Sequence, residues 1–259
     1  MVHRALVLLG VLGLLAVPCL AADEVIRAGI DPFVSHVERT YSDLALNPIP
    51  AGFLSQGSKA FACKINFRGV PLATEPAGVL GGADTVIQRL DDAVFDEKGI
   101  AHTRIQMRAL SLVSAKPIQT SCGRYNVFVS LAGAQPISPD YHMTIVRKSD
   151  NGGYFLAEFT VNFRLTFVPV SGSGPVRELV RSTTFTGGSD HKWANQPGQN
   201  GISYAGSLKV DTNGDGRADT VLPGTSNFAM GWQAVDGLGG SVNYVPFEFL
   251  STSEDCAHG

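Results

Sequence analysis

The sequence predicts an all-β protein, an antiparallel β-sandwich, because apolar and polar side chains alternate along several segments and turn-forming residues separate those segments. In the run 158–167 every second residue from Phe159 to Phe167 is apolar, and the residues between them are polar. One apolar and one polar face is typical of a strand in an antiparallel sheet that faces water on one side. Segments 104–109, 125–131 and 143–147 alternate in the same way.

The remaining candidate strands predict either one sandwich or two packed sandwich subdomains. They are 60–67, 83–90, 176–185, 203–210, 227–235 and 243–250. Turn-forming residues separate the strands at 96–99, 149–153, 171–175 and 237–240. Asn151-Gly152 favours a hairpin, because both residues tolerate positive φ. The turn at Ser171–Pro175 is either a domain boundary or a hairpin loop, and both interpretations stay open.

The sequence predicts at most one short helix, near the N-terminus. Asp31 is suited to cap this helix and Pro32 to occupy its first position. Apolar residues follow at helical spacing, at positions 33, 37, 41 and 44. Ser, Thr and β-branched Val residues in the same window weaken the helix, and Pro48 and Pro50 end it.

Residues 1–22 are predicted to form a signal peptide. Arg4 supplies a positive charge, Ala5–Val17 is apolar or Gly throughout, and small residues suited to cleavage follow. This apolar stretch of about 13 residues is too short to cross a bilayer as a helix, which takes about 20 residues. An uncleaved N-terminal anchor and a lipoprotein with lipidated Cys19 are the open alternatives. We therefore expect a secreted protein, extracellular or at the cell surface, with the periplasm as an alternative location.

The expected division of the chain has four parts. They are a signal peptide (1–22), an N-terminal extension (23–58), a β-rich core (59–170) and a second β-rich part that contains a calcium-type loop (171–259). A content of 44% hydrophobic and 17% charged residues is typical of a globular protein. No segment after the signal peptide is long and apolar enough to predict a membrane span in the mature chain.

Charge argues against two classes of partner. Removal of residues 1–22 takes away Arg4 and no acidic residue, which leaves 19 basic and 23 acidic side chains, a net charge of −4. Nucleic acids and anionic membrane surfaces both favour clustered Lys and Arg, and the sequence contains no such cluster. We therefore expect no nucleic-acid partner.

Three cysteines persist in the mature chain: Cys63, Cys122 and Cys256. In an oxidising compartment two of them are expected to pair. Cys63 and Cys122 both lie beside predicted strands, so the expected disulfide joins these two. Pairing through Cys256 and three unpaired thiols are the alternatives. No Cys-x-x-Cys spacing points to a metal site.

One loop carries a metal-binding pattern. Oxygen ligands stand at positions 1, 3, 5 and 9 of the run 211–219, Gly216 stands at position 6, and position 7 offers a backbone carbonyl. Ca²⁺ takes six to eight oxygen ligands, and this spacing lets several of them converge from one short loop. The predicted ligands are Asp211, Asn213, Asp215, Arg217 through its carbonyl, and Asp219.

The loop resembles the calcium loops of dockerins, and the resemblance implies that Asp219 closes the site. Position 12 is Leu222 rather than Glu, so the bidentate ligand of an EF-hand is missing, and Asp236 is an alternative closing ligand. Only one copy is present, so binding to a cohesin is not implied. The alternative is a surface turn that binds nothing, since Asp, Asn and Gly favour turns on their own account. If Ca²⁺ binds, we expect its role to be structural.

Other candidate site residues have both a functional and a structural interpretation. Trp193 lies in a polar stretch and is either a ligand-facing side chain that stacks on sugars or a packed side chain. Asp91, Asp92 and Glu97 are either the paired carboxylates of a glycoside hydrolase or a solvated turn. His36, His102, His142 and His191 are scattered along the sequence and form no catalytic or metal-binding motif.

Three segments, 47–53, 82–90 and 108–113, resemble uncharacterised secreted proteins of environmental bacteria, and the similarity spans roughly 40–170. This resemblance implies no activity. We expect a secreted, non-catalytic β-sandwich, stabilised by calcium, that binds a glycan or another component at the cell surface or scaffolds there. The alternatives are a secreted hydrolase that acts on glycans and a structural component of an envelope or matrix.

Overall fold

The protein is an antiparallel β-sandwich in a computed structural model that describes residues 25–33, 35, 40–72, 83–137, 142–149, 152–171, 174–187, 192–194, 205–210 and 220–225. Every helix-or-strand element within these ranges is a β-strand, and each strand pair is antiparallel. The predicted all-β antiparallel class is therefore confirmed.

The strands are numbered in chain order. They are β1 Val25–Ile26, β2 Gly29–Phe33, β3 Tyr41–Asp43, β4 Lys64–Gly69, β5 Thr85–Arg89, β6 Ala93–Val94, β7 Ile100–Ser114, β8 Ile118–Thr120, β9 Gly123–Leu131, β10 His142–Ser149, β11 Gly152–Ser171, β12 Arg177–Gly187, β13 Lys192–Ala194, β14 Ala205–Val210 and β15 Thr220–Thr225.

Eleven of these strands form one sheet, with the central order β2-β5-β7-β10-β11-β9-β8. The long strands β7 and β11 both pair with β10 near their beginnings and with β9 near their ends. Strands β9 and β10 therefore follow one another in the space between β7 and β11. β12 and β13 pair with β11, whereas β4 pairs with β7 and carries β3.

A glutamine side chain bridges part of the interval between β9 and β10. Gln135 Nε2 donates to the Asn162 carbonyl at 2.9 Å, and the Asn162 amide donates to Gln135 Oε1 at 3.0 Å. Gln106 Nε2, on β7, donates in turn to the Gln135 carbonyl at 2.7 Å. This side-chain amide takes the place of a neighbouring strand for the Asn162 amide, while the Asn162 carbonyl also accepts from the Ala132 amide at 2.9 Å.

Ring contacts show that the sheet folds over itself to form two layers. Phe33 on β2 lies 6.3 Å from Phe155 on β11, measured between ring centroids. These two strands stand four steps apart in the sheet order, which in a flat sheet would separate them by about 19 Å. The core between the layers includes the apolar face of β11, from Phe159 to Phe167, at most 4% exposed. The alternation along 158–167 thus predicted the buried face correctly.

The predicted N-terminal helix is wrong, because β2 and β3 occupy that segment. Asp31, the expected helix cap, instead accepts hydrogen bonds from Arg89, with Nε–Oδ2 at 2.8 Å and both side chains fully buried. Its carboxylate therefore satisfies a buried guanidinium and not a helix terminus. Pro32 is tolerated in β2 because β2 lies at the end of the sheet order, where proline removes no central ladder bond.

The structure also describes the two ends of the predicted β-rich core. Residues 25–43, assigned above to an N-terminal extension, contribute β1, β2 and β3, which pair with β6, β5 and β4. The turn after β11 is a hairpin connection, since β12 pairs with β11 from Ala157↔Gly187 to Phe167↔Arg177. The second of the two interpretations of this turn is therefore correct. β10 and β11 form the predicted hairpin around Asn151-Gly152.

Candidate functional site

An open cleft lies over the adjoining strands β7 and β10. Its volume is about 440 Å³, and Asp91, His102, Thr103, Arg104 and His142 line it. Four of these residues belong to β7 and β10, and Asp91 follows β5. The cleft is the candidate functional site, because it gathers imidazole, carboxylate and guanidinium groups on one surface.

The strand register brings the two histidines together. His142 stands opposite Arg104, and Thr144 stands opposite His102. Residues directly opposite each other in an antiparallel pair share a face, so all four side chains lie on one side of the sheet. The two histidine rings meet edge to face, with centroids 5.9 Å apart and planes at 68°.

An ion pair borders the cleft. Arg104 donates to both carboxylate oxygens of Asp91, from Nε at 2.6 Å and from Nη2 at 2.8 Å. These hydrogen bonds hold the pKa of Asp91 below its usual value and raise that of Arg104. Thr103 Oγ1 also donates to the Asp91 carbonyl, at 2.7 Å. The segment after β5 is thereby attached to β7, and the two opposite charges compensate each other.

The carboxylates proposed for glycoside hydrolysis do not form an acid–base pair. Asp92 accepts hydrogen bonds from the Ala28 amide at 2.7 Å and from Arg27 at 2.6 Å. Both contacts lower the pKa of Asp92, and the hydrogen bond from the Ala28 amide has the larger effect. The pKa of Asp91 is also lowered, whereas a glycosidase needs one carboxylic acid with a raised pKa. Glu97 lies exposed in the turn before β7. The solvated-turn interpretation therefore describes these three residues better.

One carboxylate does have a raised pKa, but it lies in the core. Burial raises the pKa of Asp84 to about 6, against the opposing effect of hydrogen bonds from Ser35 and Thr85. The Ser35 amide donates at 2.7 Å, the Ser35 hydroxyl at 2.8 Å and Thr85 Oγ1 at 2.7 Å. Gly69 leaves the space that this carboxylate fills, since a Cβ there would lie 1.8 Å from Asp84 Oδ2. Asp84 is fully buried and does not line the cleft.

The prediction that Trp193 faces a ligand is wrong. Its side chain is fully buried, stacked on Phe95 with ring centroids 5.7 Å apart, and its Nε1 donates to the Val146 carbonyl at 3.2 Å. Strand β13 pairs with the start of β11 and turns this side chain inward. The polar neighbours in the sequence do not reveal which side of the strand each residue faces, which is why the sequence suggested exposure.

The predicted Cys63–Cys122 disulfide is also wrong. Cys122 carries an exposed, free thiol, whereas Cys63 is disulfide-bonded. The Cys122 thiol lies in a turn, 3.3 Å from Thr120 Oγ1 and 3.7 Å from the Tyr125 hydroxyl. Desolvation raises the pKa of this thiol, but hydrogen bonds with Thr120, Ser55 and Tyr125 together outweigh it, so the pKa lies below its usual value.

The predicted calcium ligands Asp211, Asn213, Asp215, Arg217 and Asp219 lie outside the described residues. The strands on either side, β14 and β15, pair with each other from Ala205↔Thr225 to Val210↔Thr220. The two residues that flank the 211–219 segment, Val210 and Thr220, are therefore neighbours. Within the described ranges no three His, Cys, Asp or Glu residues are grouped so as to hold a metal ion.

Comparison with known proteins adds no assignment: no family model matches the chain, and no curated protein or solved structure is significantly similar to it. The resemblances drawn from short segments stay predictions. The described residues also include no helix long and apolar enough to cross a membrane.

The sequence analysis did not predict that His102 and His142 lie close together. Both residues stand at exposed positions of alternating segments, which the pattern could have shown. Their proximity depends on the register between β7 and β10, and 39 residues lie between them in the sequence. Neither residue belongs to a short motif, so only the strand pairing joins them.

Proposed function

We propose that this chain is a secreted, non-catalytic β-sandwich protein that binds a hydroxyl-rich ligand, a glycan of the cell surface, in the cleft over β7 and β10. The observation that supports this most is the composition of the cleft. His102 and His142 offer imidazole nitrogens beside the Arg104–Asp91 ion pair, on an open sheet surface.

The chemistry of the cleft suits binding better than hydrolysis. Its carboxylate, Asp91, is held ionised by Arg104 and is thus unsuited to protonate a leaving group. An ion pair whose charges compensate can still donate and accept hydrogen bonds at its outer edge. Imidazole rings add an apolar face beside their polar nitrogens, which matches the mixed surface of a sugar ring.

Two predictions from the sequence support the extracellular setting. The first is the signal peptide at residues 1–22. The second is the calcium-type loop at 211–219, because extracellular modules use Ca²⁺ at the millimolar levels found outside cells. Bound Ca²⁺ would stabilise the β14–β15 hairpin by neutralising the three aspartates of the loop.

A structural role in an envelope or matrix is the second candidate. The outer face of β9, β11 and β12 exposes apolar side chains, among them Phe128 at 40% and Val180 at 59%. Exposed apolar surface of this kind favours association between copies. Sedimentation velocity over a range of protein concentrations would reveal such association as a rising sedimentation coefficient.

Binding to a panel of neutral and acidic polysaccharides, measured by affinity electrophoresis and calorimetry, tests the proposed function. We expect at least one polysaccharide to bind, and His102→Ala combined with His142→Ala to weaken that binding at least tenfold. Ser182→Ala, which removes an exposed hydroxyl on β12, is the matched control and should change nothing. Retained binding in the double variant, or no binding by the wild-type chain, would contradict the proposal.

A further inference from the structure

The two histidines of the cleft have a geometry that the proposed glycan binding does not require. His102 and His142 stand on adjacent paired strands, both exposed, with their rings at 68° to each other and 5.9 Å between centroids. Because the strands are hydrogen-bonded to each other, the two side chains project from a rigid surface. Such a pair presents imidazole nitrogens from two adjacent strands on one surface.

We propose that His102 and His142 form a two-histidine site for a transition-metal ion of the class that prefers imidazole, namely Cu²⁺, Ni²⁺ or Zn²⁺. Metal–nitrogen bonds of about 2.0–2.1 Å place the centroids of two ligating rings about 5 to 6.5 Å apart, depending on the angle at the metal. The observed 5.9 Å falls within this interval. The strands are therefore close enough for both rings to reach one ion, once rotation of the exposed side chains turns a nitrogen of each ring toward it.

Thr144 makes a hydrogen bond with one of the two rings. Its hydroxyl lies 3.1 Å from Nδ1 of His102, and the register places it directly opposite that histidine. A hydroxyl can accept as well as donate, so Thr144 can accept from Nδ1–H when a metal binds the electron pair on Nε2. Thr144 is accordingly a positioning residue, and its effect on metal binding is testable apart from the ligands.

The surrounding charges permit a cation at this position. Arg104 stands opposite His142 on the same face, but it donates to both oxygens of Asp91, so the pair has no net charge. Within the described residues no third His, Cys, Asp or Glu completes a set with the two histidines. This nitrogen-ligand site differs in chemistry from the oxygen-rich pattern of the 211–219 segment.

Calorimetric titration of the full, tag-free chain with NiCl₂, in the presence of excess Ca²⁺, tests the inference. The Ca²⁺ saturates oxygen-ligand sites, so that only nitrogen or sulfur ligands respond. We expect one Ni²⁺ per chain at this site, and His102→Ala and His142→Ala should each weaken binding more than tenfold. Thr144→Val should weaken it about 10- to 100-fold, as loss of an outer partner usually does.

Two control variants separate this site from other ligands in the chain. His191→Ala removes a histidine that stands 49 positions after His142 in the sequence, and Cys122→Ser removes the exposed thiol. Both variants should bind Ni²⁺ as the wild type does. With Cu²⁺, electron paramagnetic resonance should show coupling to two nitrogens in the wild type and to fewer in either histidine variant. Equal affinity of the histidine variants and the wild type, no binding by the wild type, or loss of binding in Cys122→Ser would overturn the inference.

The metal is titrated alone, and the polysaccharide assay is run with a chelator, so failure of one proposal is distinguishable from failure of the other. Both histidines are exposed, and thermal unfolding of each variant would show directly whether its fold is retained.

Discussion

Asp84 leads to a prediction about stability and pH. Burial raises its pKa from 3.8 to about 6 in the folded protein. Between these two values the native state keeps a proton that the unfolded state has lost, so the native state binds more protons. The free energy of unfolding should therefore fall as pH rises through this interval, and the group's contribution is lost above pH 6.

The difference between the two pKa values corresponds to about 3 kcal/mol. Asp84→Asn keeps the size of the side chain but removes the titration. We expect the stability of the wild type, relative to this variant, to decrease by about 2.5 kcal/mol from pH 4 to pH 8, because the remainder of the difference falls below pH 4. Asp84→Ala, which also does not titrate, provides the same comparison should the amide pack poorly against its donors.

Urea denaturation followed by tryptophan fluorescence, at intervals from pH 4 to pH 8, would measure this difference. Asp91→Asn is the control, because the pKa of Asp91 is lowered in the folded protein. The contribution of Asp91 to stability therefore has the opposite pH dependence: it is present above the unfolded-state pKa and is lost as the pH falls. Wild type and Asp84→Asn profiles that run parallel over the whole range would refute the reasoning.

Three further predictions concern a glycine, the cysteines and the loop. Gly69→Ala should lower the free energy of unfolding by about 3 kcal/mol, because its Cβ would lie 1.8 Å from Asp84 Oδ2. Urea denaturation should show that a second substitution, Asp84→Ala, recovers part of this loss. Strictly additive effects of the two substitutions would contradict the clash. In the native protein, iodoacetamide should label Cys122 without a reductant and Cys63 only after reduction. If peptide mass spectrometry finds Cys63 labelled first, the assignment of the free thiol to Cys122 is wrong. EDTA should lower the melting temperature through loss of Ca²⁺ from the 211–219 loop. Bound Ca²⁺ would add about 2.7 kcal/mol to the free energy of unfolding when free Ca²⁺ is about 100 times the Kd. An unchanged melting temperature at equal ionic strength would contradict the predicted calcium site.

Local alternation predicted the strands and their buried faces well. The run 158–167 shows why: a strand repeats every two residues, so a strict alternation of apolar and polar side chains leaves one arrangement that buries the apolar set. The turns were predictable for a similar reason, because Asn151-Gly152 has a local conformational preference that needs no distant partner.

Predictions that depended on a distant partner failed. Asp31 and Pro32 have the local chemistry of a helix start, but the partner of Asp31 is Arg89, which stands 58 residues further along the chain. Trp193 lies among polar residues in the sequence, yet its ring packs on Phe95. Cys63 and Cys122 both adjoin strands, and only the folded chain shows that they are not joined to each other.

For the candidate site, too, the features that depend on neighbouring residues were predictable from the sequence and those that depend on distant residues were not. The sequence by itself determined the strand class and a nine-residue segment with calcium-type spacing, because each of these depends on residues close together in the chain. Only the tertiary structure decided that the two histidines meet and that Arg104 neutralises Asp91. Those contacts depend on the register between strands, which is set by the packing of the whole sheet and not by any one segment.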